Sequence, residues 1–418
     1  MTPAKPIESV AIISMHTSPL AVLGGYKTGG MNVYVRELSR ELGRRGVQVD
    51  VFTRRESASQ PEVDTSLGAT VRVIRLRAGG YGTADPSSLI GATQEFAAGI
   101  HKYATLNNRT YDVMYAHYWL SGLVADVLRR SWDVPWVQMF HTLGAMKNRI
   151  ANQPMIDPRV MAEMQIVRHA DRVIAATQAE HHQLLWLYRV DRRKVSIVPP
   201  GVDTSQFKPM NRDVARASVG LCDGEKMLLF VGRLEPLKAV DILLRALHEL
   251  HTVEPSVLAG VRLMVVGGEA GNPERTRLCS LAEQLGVDGY VQFAGSKEHA
   301  SLPVFYAAAE ALIMPSDYES FGMVALEAMA SGTPVIASAV GGLQYLIRDG
   351  ETGFLVPVRD PESLAERIRQ MLIDPNLRDT LARAAADRAV QYDWKLVVDQ
   401  VIEVFERAAR GGRRHLNV

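Results

Sequence analysis

The sequence has little of what marks several protein classes. Only two of its 418 residues are cysteines, Cys222 and Cys279. Their spacing fits neither a metal site nor a redox pair, and so few cysteines agree with a reducing cytoplasm. No apolar run approaches the length of a membrane span, and the first residues lack the apolar core of a signal peptide. We therefore predict a cytoplasmic protein.

Motifs of several functional classes are also missing. The chain has no Ser-His-Asp order, no metal-ligand cluster and no phosphate loop ending in Gly-Lys-Ser/Thr. It also lacks the stripe of arginines and aromatic residues expected of a nucleic-acid binder, so we predict no nucleic-acid partner. The net charge of +1 hides an asymmetry. Residues 1–200 carry 24 Lys and Arg against 17 Asp and Glu, a net of +7. This basic half suits an anionic substrate or a phospholipid surface, and scattered surface charge explains it equally well.

Short β-rich runs alternate with helical segments along the chain, as in parallel sheets with crossover helices. Seven predicted strands lie within residues 10–198 and six within 227–356, separated by a turn-rich stretch at 198–203. We predict an α/β fold of two doubly wound, Rossmann-like domains, residues 1–200 and 201–392, that face each other across a cleft with ligands at the strand ends. A last helix within residues 393–418 is predicted to pack back on the first domain.

Two glutamates, Glu319 and Glu327, stand eight positions apart around Gly322. On a helix this spacing places both carboxylates on nearly one face. Such a pair is often only a solvated face. Here, however, a predicted strand at 311–314 comes directly before it, at a sheet edge where α/β proteins bind ligands. Because Gly322 also lets the backbone approach an anion, the segment suits sugar hydroxyls and a phosphate.

Two basic residues, Arg233 and Lys238, follow another predicted strand. The guanidinium of Arg233 offers a fork of hydrogen-bond donors and the ammonium of Lys238 a point charge, and both together at a strand end suit a diphosphate. Glycine pairs at Gly24-Gly25, Gly29-Gly30 and Gly341-Gly342 follow strands in the same way, and either bring backbone close to a ligand or form plain loops.

Two histidines, His117 and His141, follow predicted strands of the first domain. A general-base role is the obvious hypothesis for either. Their placement after parallel strands favours a binding role.

Together these segments resemble the retaining, nucleotide-sugar-dependent glycosyltransferases of the GT-B fold and glycosyltransferase family 4. The resemblance extends over nearly the whole chain. It implies that Glu327 holds ribose hydroxyls, that Glu319 holds hydroxyls of the transferred sugar, and that the backbone near Gly322 binds diphosphate oxygens. The implied residues are Arg233, Lys238, Glu319 and His141 for catalysis, with Gly30, Glu319, Gly322, Met323, Val324 and Glu327 for the nucleotide sugar.

Within that family the chain looks most like bacterial inositol-phosphate N-acetylglucosaminyltransferases, through segments such as His16 to Leu20, Gly29 to Val35 and His117 to Gly122. The resemblance implies acceptor binding by Asn32, Tyr118, Thr142 and Arg159. Those enzymes also use a lysine, and Pro86 stands at its position here. Lys102 and Lys147 are alternative phosphate cations.

The implied activity is the metal-independent transfer of a hexosyl group, such as N-acetylglucosaminyl, with retention of configuration. The implied donor is a nucleotide sugar, UDP-linked or other, and the implied acceptor is a small polyol or sugar, with or without a phosphate. No cofactor is expected besides this co-substrate. His141 is expected to orient the sugar, and Ala239, where the family usually has glycine, is expected to be tolerated within a helix. Open alternatives are a peripheral membrane enzyme with a lipid or polysaccharide acceptor, a sucrose-phosphate-type synthase, a nucleotide-sugar 2-epimerase and a nucleotide-sugar-binding regulator. The oligomeric state also stays open, with a homodimer among the possibilities.

Overall fold

The computed structural model describes residues 6–21 and 29–412 and contains two compact units. Among these residues, unit 1 holds 6–21, Met31–Pro199 and 394–412, and unit 2 holds 29–30 and Pro200–Asp393. Gly24 and Gly25 lie outside the described residues. In the part of the chain that is described, no helix is both long and apolar enough to span a membrane.

Unit 1 is built on an eight-stranded sheet in the order β3-β4-β2-β1-β5-β6-β7-β8. All neighbours pair in parallel except β3, which is antiparallel to β4. The central strands are almost wholly buried, as expected of a sheet covered on both faces. The strands are β1 Ser9–Ile13, β2 Gln48–Arg54, β3 Val63–Asp64, β4 Val71–Leu76, β5 Val113–His117, β6 Trp136–Met139, β7 Arg172–Ala175 and β8 Val195–Ile197.

Six helices connect these strands, and a seventh from the end of the chain joins them. Two of them show how sequence sets their start: Asp157 and Thr177 accept hydrogen bonds from the N–H groups of Val160 and Glu180 and so cap α5 and α6. The seventh, α15, contacts β5 and β6. The helices are α1 Gly30–Arg44, α2 Thr93–Leu106, α3 Tyr118–Leu128, α4 Gly144–Ile150, α5 Pro158–His169, α6 Gln178–Leu187 and α15 Trp394–Gly412.

Unit 2 is built on a six-stranded, fully parallel sheet in the order β11-β10-β9-β12-β13-β14. Its strands are β9 Lys226–Val231, β10 Val261–Val266, β11 Val291–Gly295, β12 Ala311–Met314, β13 Val335–Ser338 and β14 Gly353–Val356. Its helices are α7 Arg212–Ser218, α8 Val240–Val253, α9 Pro273–Gln284, α10 Leu302–Ala308, α11 Met323–Ala330, α12 Leu343–Leu346, α13 Pro361–Ile373 and α14 Pro375–Ala389. The predicted fold class, two parallel-sheet Rossmann-like domains, is confirmed.

The expectation for Ala239 was wrong. The residue does not lie within a helix: it joins a 3₁₀ turn, Pro236–Lys238, to α8, with φ 48° and ψ 42°. This left-handed conformation costs an L-residue roughly 1–2 kcal/mol. The methyl group of Ala239 is fully buried in the core of unit 2, and that burial offsets part of the strain.

Candidate active site

In unit 2 the loop between β12 and α11 carries Glu319. The prediction that both glutamates share one helix face was wrong, because α11 begins only at Met323. Glu319 lies in the loop and accepts a hydrogen bond from Lys238, with 2.5 Å between Nζ and Oε2. Both side chains are about four-fifths buried, at 20% and 18% exposure. The two predicted site residues therefore form one ion pair at the carboxyl end of the sheet.

The backbone of Glu319 is fixed by the glycine turn after β13. The N–H of Gly342 donates to the Glu319 carbonyl at 3.1 Å. Gly341 has φ 47°, and a Cβ there would lie 1.8 Å from the same carbonyl oxygen. Only glycine fits so close an approach. This turn was predicted either to bring backbone close to a ligand or to form a plain loop; the structure shows instead that it packs against the Glu319 backbone and fixes that loop.

Glu327 lies on α11 and is buried, with 5% exposure. Its carboxylate has two side-chain partners: His299 Nε2 lies 2.7 Å from Oε1, and the Tyr306 hydroxyl donates to Oε2 at 2.9 Å. Burial first, and then the neighbouring carboxylate, hold the pKa of Tyr306 well above its usual value, so the hydroxyl stays a donor. Neither His299 nor Tyr306 was predicted from the sequence, since neither belongs to a motif.

Three further residues predicted to bind the donor or to act in catalysis belong to unit 2. Arg233 makes an ion pair with Glu235, at 2.6 Å, and keeps about a third of its side chain exposed. A Cβ on Gly30, which groups with unit 2, would lie 3.1 Å from Met323 Sδ. Gly322 precedes α11 in a left-handed conformation, φ 101°, so the first-turn N–H groups at Met323 and Val324 come at the start of a helix, where anions bind.

In unit 1 the structure brings together three of the predicted acceptor residues. Arg159 donates to the Tyr118 hydroxyl at 3.2 Å and to Thr142 Oγ1 at 3.0 Å, and its guanidinium lies 4.8 Å from the Tyr118 ring centre. Asn32, by contrast, donates to Thr17 Oγ1 at 2.5 Å and to the Ser18 carbonyl at 2.7 Å. A guanidinium between two hydroxyls can receive a phosphate.

A buried glutamate sets the orientation of Arg159. Glu163 is fully buried. It accepts hydrogen bonds from Arg159 Nε at 2.8 Å, from the Gly144 N–H at 2.9 Å and from the Tyr188 hydroxyl at 2.5 Å. Glu163 was not among the predicted site residues. An Arg and a Glu four positions apart on a helix were the available signal.

The two histidines meet at the ends of neighbouring strands. His117 Nδ1 lies 2.9 Å from His141 Nε2. Burial lowers the pKa of His141 to about 3 and holds that of His117 well below its usual value, with the other histidine as a second cause for His117. Both rings are therefore neutral near pH 7, and a pKa so far below neutral makes each a weak proton acceptor, which favours a binding role over that of a general base. His141 has φ 61° and Tyr118 φ 71°, which marks this corner as strained.

Aromatic side chains hold the histidine pair in place. The Tyr34 ring meets His117, His141 and Trp394 edge-on, with centroids 5.5, 5.2 and 5.3 Å away. Its hydroxyl shares a hydrogen bond of 2.9 Å with Tyr115. None of these aromatic contacts was predicted, because they join four separate segments of the chain.

Unit 2 thus offers a lysine paired with a carboxylate and a helix start, and unit 1 offers a guanidinium, hydroxyls and neutral imidazoles. In the described residues no group of three or more His, Cys, Asp or Glu side chains could hold a metal ion. Polyhydroxylated and phosphorylated ligands match these groups, and on two Rossmann-like units they define a glycosyltransferase of the GT-B class.

The comparisons with known proteins agree with this class. Residues 211–388 match the family "Glycosyl transferases group 1", and residues 29–201 match "Glycosyl transferase 4-like domain". The chain belongs to the GT4-type, group 1 glycosyltransferases. It is 42% identical to the D-inositol 3-phosphate glycosyltransferase of Kineococcus radiotolerans, over 98% of both chains, and 41% identical to that of Actinosynnema mirum, over 96% of this chain and 98% of the other.

Solved structures show the same architecture. A sucrose-phosphate synthase from Thermosynechococcus elongatus is 32% identical and superposes with a TM-score of 0.88, covering 97% of this chain and all of that one. The glycosyltransferase WaaG, at 20% identity and a TM-score of 0.70 over 95% and 98% of the chains, shows a similar fold.

Proposed function

We propose that this glycosyltransferase transfers a hexosyl group, with retention of configuration, from a UDP-sugar to a small phosphorylated polyol. The observation that carries the proposal is the ion pair between Lys238 and Glu319 beside the start of α11. A lysine there can bind a diphosphate, and the carboxylate can bind hydroxyls of the sugar attached to it. Supporting it, relatives named D-inositol 3-phosphate glycosyltransferase match almost the full chain.

Charge on the departing diphosphate is the quantity that the enzyme has to stabilise. Lys238 and Arg233 are the proposed cations, and the N–H groups at the start of α11 are the proposed backbone donors. In this mechanism the diphosphate also helps to deprotonate the acceptor hydroxyl on the same face of the sugar. His141, neutral at working pH, orients the sugar through hydrogen bonds.

The acceptor's phosphate is proposed to bind at Arg159, Tyr118 and Thr142. A second cation would strengthen this site, because the guanidinium already shares its charge with Glu163. Lys147 is the better candidate: it lies on α4, which packs against the helix that carries Arg159, whereas Lys102 is exposed on α2. We therefore expect Lys147→Ala to raise KM for a phosphorylated acceptor, and Lys102→Ala to serve as the matched control without effect.

The decisive experiment is a mass-spectrometric screen of UDP-, GDP- and ADP-sugars against inositol phosphate, sugar phosphates and lipid acceptors. Product should form with a UDP-sugar and a phosphorylated polyol, with or without EDTA, and the anomeric configuration should be kept. Lys238→Ala and Glu319→Ala should abolish transfer while circular dichroism and the melting temperature report an intact fold. Unchanged turnover in either variant refutes the assignment, and product of inverted configuration refutes retention.

A second candidate, sucrose-phosphate synthesis, is favoured by one observation, the TM-score of 0.88 with a sucrose-phosphate synthase. The same screen separates the two: a sugar phosphate rather than inositol phosphate would then be the acceptor that yields product.

A further inference from the structure

One surface of unit 1 takes no part in either candidate site. It comprises the end of α6, the segment that leads into β8 and residues 168–172 between α5 and β7. Trp186 on α6 is 82% exposed, whereas Trp119, Trp136 and Trp394 are buried and Trp132 packs against the core. Among the described apolar side chains, so large an exposure of an aromatic ring is unusual, because a buried indole would contribute more to stability. We call this region, with Arg168, Arg172, Arg189, Arg192 and Arg193, the α6–β8 surface.

Basic residues follow Trp186 along the chain at Arg189 and at Arg192 to Lys194, and hydrogen bonds tie this segment to residues 168–172. Arg172 donates to the Arg193 carbonyl at 2.7 Å, and Lys194 Nζ donates to the Arg168 carbonyl at 2.8 Å. Segments 168–172 and 189–194 together contain five arginines and one lysine. They contain only two acidic residues, Asp171 and Asp191. Six basic against two acidic residues leave a net charge of +4, and Arg193, which pairs with Asp191 at 2.7 Å, is 88% exposed in its side chain.

The backbone at Arg189 supports a role for the positive charge. Arg189 follows α6 directly and has φ 53°, a left-handed conformation in which glycine is the usual residue after a helix. An exposed arginine there is strained, and it gains no burial in return. Strain retained without a packing gain points to function.

We propose that the α6–β8 surface docks unit 1 on an anionic lipid bilayer, with the Trp186 indole at the headgroup level and the arginines against lipid phosphates. Indoles favour membrane interfaces, and basic clusters favour anionic leaflets. Two copies of the surface facing each other in a symmetric dimer would oppose arginine to arginine. A protein partner normally needs a larger apolar centre than one indole. The inference goes beyond the proposed function, since none of these residues belongs to either candidate site.

The test is co-sedimentation of the full chain with vesicles of equimolar phosphatidylglycerol and phosphatidylcholine, against vesicles of phosphatidylcholine alone. We expect wild type to bind the anionic vesicles and to be released at about 0.5 M salt, where screening is strong. Trp186→Ala and the double variant Arg192→Glu, Arg193→Glu should each bind at least tenfold more weakly. Binding should also shift tryptophan emission to the blue, and Trp186→Phe should lose that shift.

Matched controls come from the same unit. Leu106→Ala removes another exposed apolar side chain, 71% exposed, and the double variant Arg407→Glu, Arg410→Glu reverses two exposed charges on α15. Both should bind as wild type does. The proposal is overturned if wild type binds neutral and anionic vesicles alike, or if controls and α6–β8 variants weaken equally. It is also overturned if single-stranded nucleic acid is bound but vesicles are not, or if wild type is a dimer that Trp186→Ala dissociates.

Discussion

Tyr306→Phe is the substitution that tests the Glu327 site most directly. The Tyr306 hydroxyl donates to Glu327 Oε2 at 2.9 Å, and Tyr306 is fully buried. The substitution removes one oxygen and keeps the ring. Glu327 Oε2 then loses a donor in a place where only 5% of the residue is exposed, while His299 still binds Oε1.

The size of the effect follows from the type of hydrogen bond. A bond to a charged group contributes about 1.5–3 kcal/mol, and a buried acceptor without its donor costs a similar amount. For a unit of this size, each kcal/mol shifts the melting temperature by roughly 2–4 °C. Calorimetry should therefore show the transition of unit 2 lowered by roughly 3–12 °C. If Glu327 holds the ribose, as the family resemblance implies, a loosened carboxylate should bind it less well, and KM for the nucleotide sugar should rise about tenfold, equal to about 1.4 kcal/mol.

Tyr111→Phe is the matched control. The Tyr111 hydroxyl donates to Asp50 Oδ2 at 2.8 Å in unit 1, and Asp50 keeps two bonds of 2.7 Å from Arg72. This variant should also be destabilised, yet KM for the nucleotide sugar should not change. If Tyr306→Phe lowers stability but leaves KM as in Tyr111→Phe, the role of Glu327 in binding the nucleotide sugar is refuted.

Three further outcomes are expected. Ala239→Gly should leave the free energy of unfolding nearly unchanged, because relief of roughly 1–2 kcal/mol of backbone strain offsets the loss of a buried methyl group, about 0.8 kcal/mol, and the added entropy of the unfolded chain. Ala246→Gly, at an equally buried position inside α8, should lower the free energy of unfolding by about 2 kcal/mol. Equal losses in the two variants would contradict the strain at Ala239. Burial raises the pKa of Glu180 from 4.5 to about 7, so the folded state keeps a proton that the unfolded state releases, and stability falls as pH rises through this window. The melting temperature of Glu180→Gln should therefore exceed that of wild type by more near pH 8 than near pH 5. The same difference in melting temperature at both pH values, measured by calorimetry, would contradict the raised pKa of Glu180. Glu319→Gln should bind free UDP more tightly and a UDP-sugar more weakly than wild type, and calorimetric titration showing both weakened would argue against the pairing with Lys238.

The strands were predictable from sequence because a parallel sheet with both faces covered reads as apolar runs. The strand missed, β3, has two residues, lies at the sheet edge and is antiparallel, so it leaves no such run. The helix start at α11 was misplaced for a local reason. Gly322 adopts a left-handed conformation, which ends the loop there and leaves Glu319 outside the helix.

The candidate sites were predictable only where they fall in contiguous motifs. Glu327 was found, but its partners His299 and Tyr306 are 28 and 21 positions away, on segments whose sequence carries no matching period. The same holds for Tyr34, which reaches the histidine pair from α1. Long-range side-chain contacts of this kind depend on packing and are not encoded in local spacing.

Glu319 and Glu327 differ in what binding a ligand requires of them. Glu327 is held by His299 and Tyr306, so in its proposed role it would accept hydrogen bonds from ligand hydroxyls with its carboxylate already oriented. Glu319 neutralises Lys238, and a diphosphate competes for the same ammonium group. We expect the nucleotide sugar to take Lys238 and thereby to release the Glu319 carboxylate toward the sugar hydroxyls. The ion pair between Lys238 and Glu319 would then couple recognition of the diphosphate to recognition of the sugar, which the hydrogen bond between Tyr306 and Glu327 cannot do.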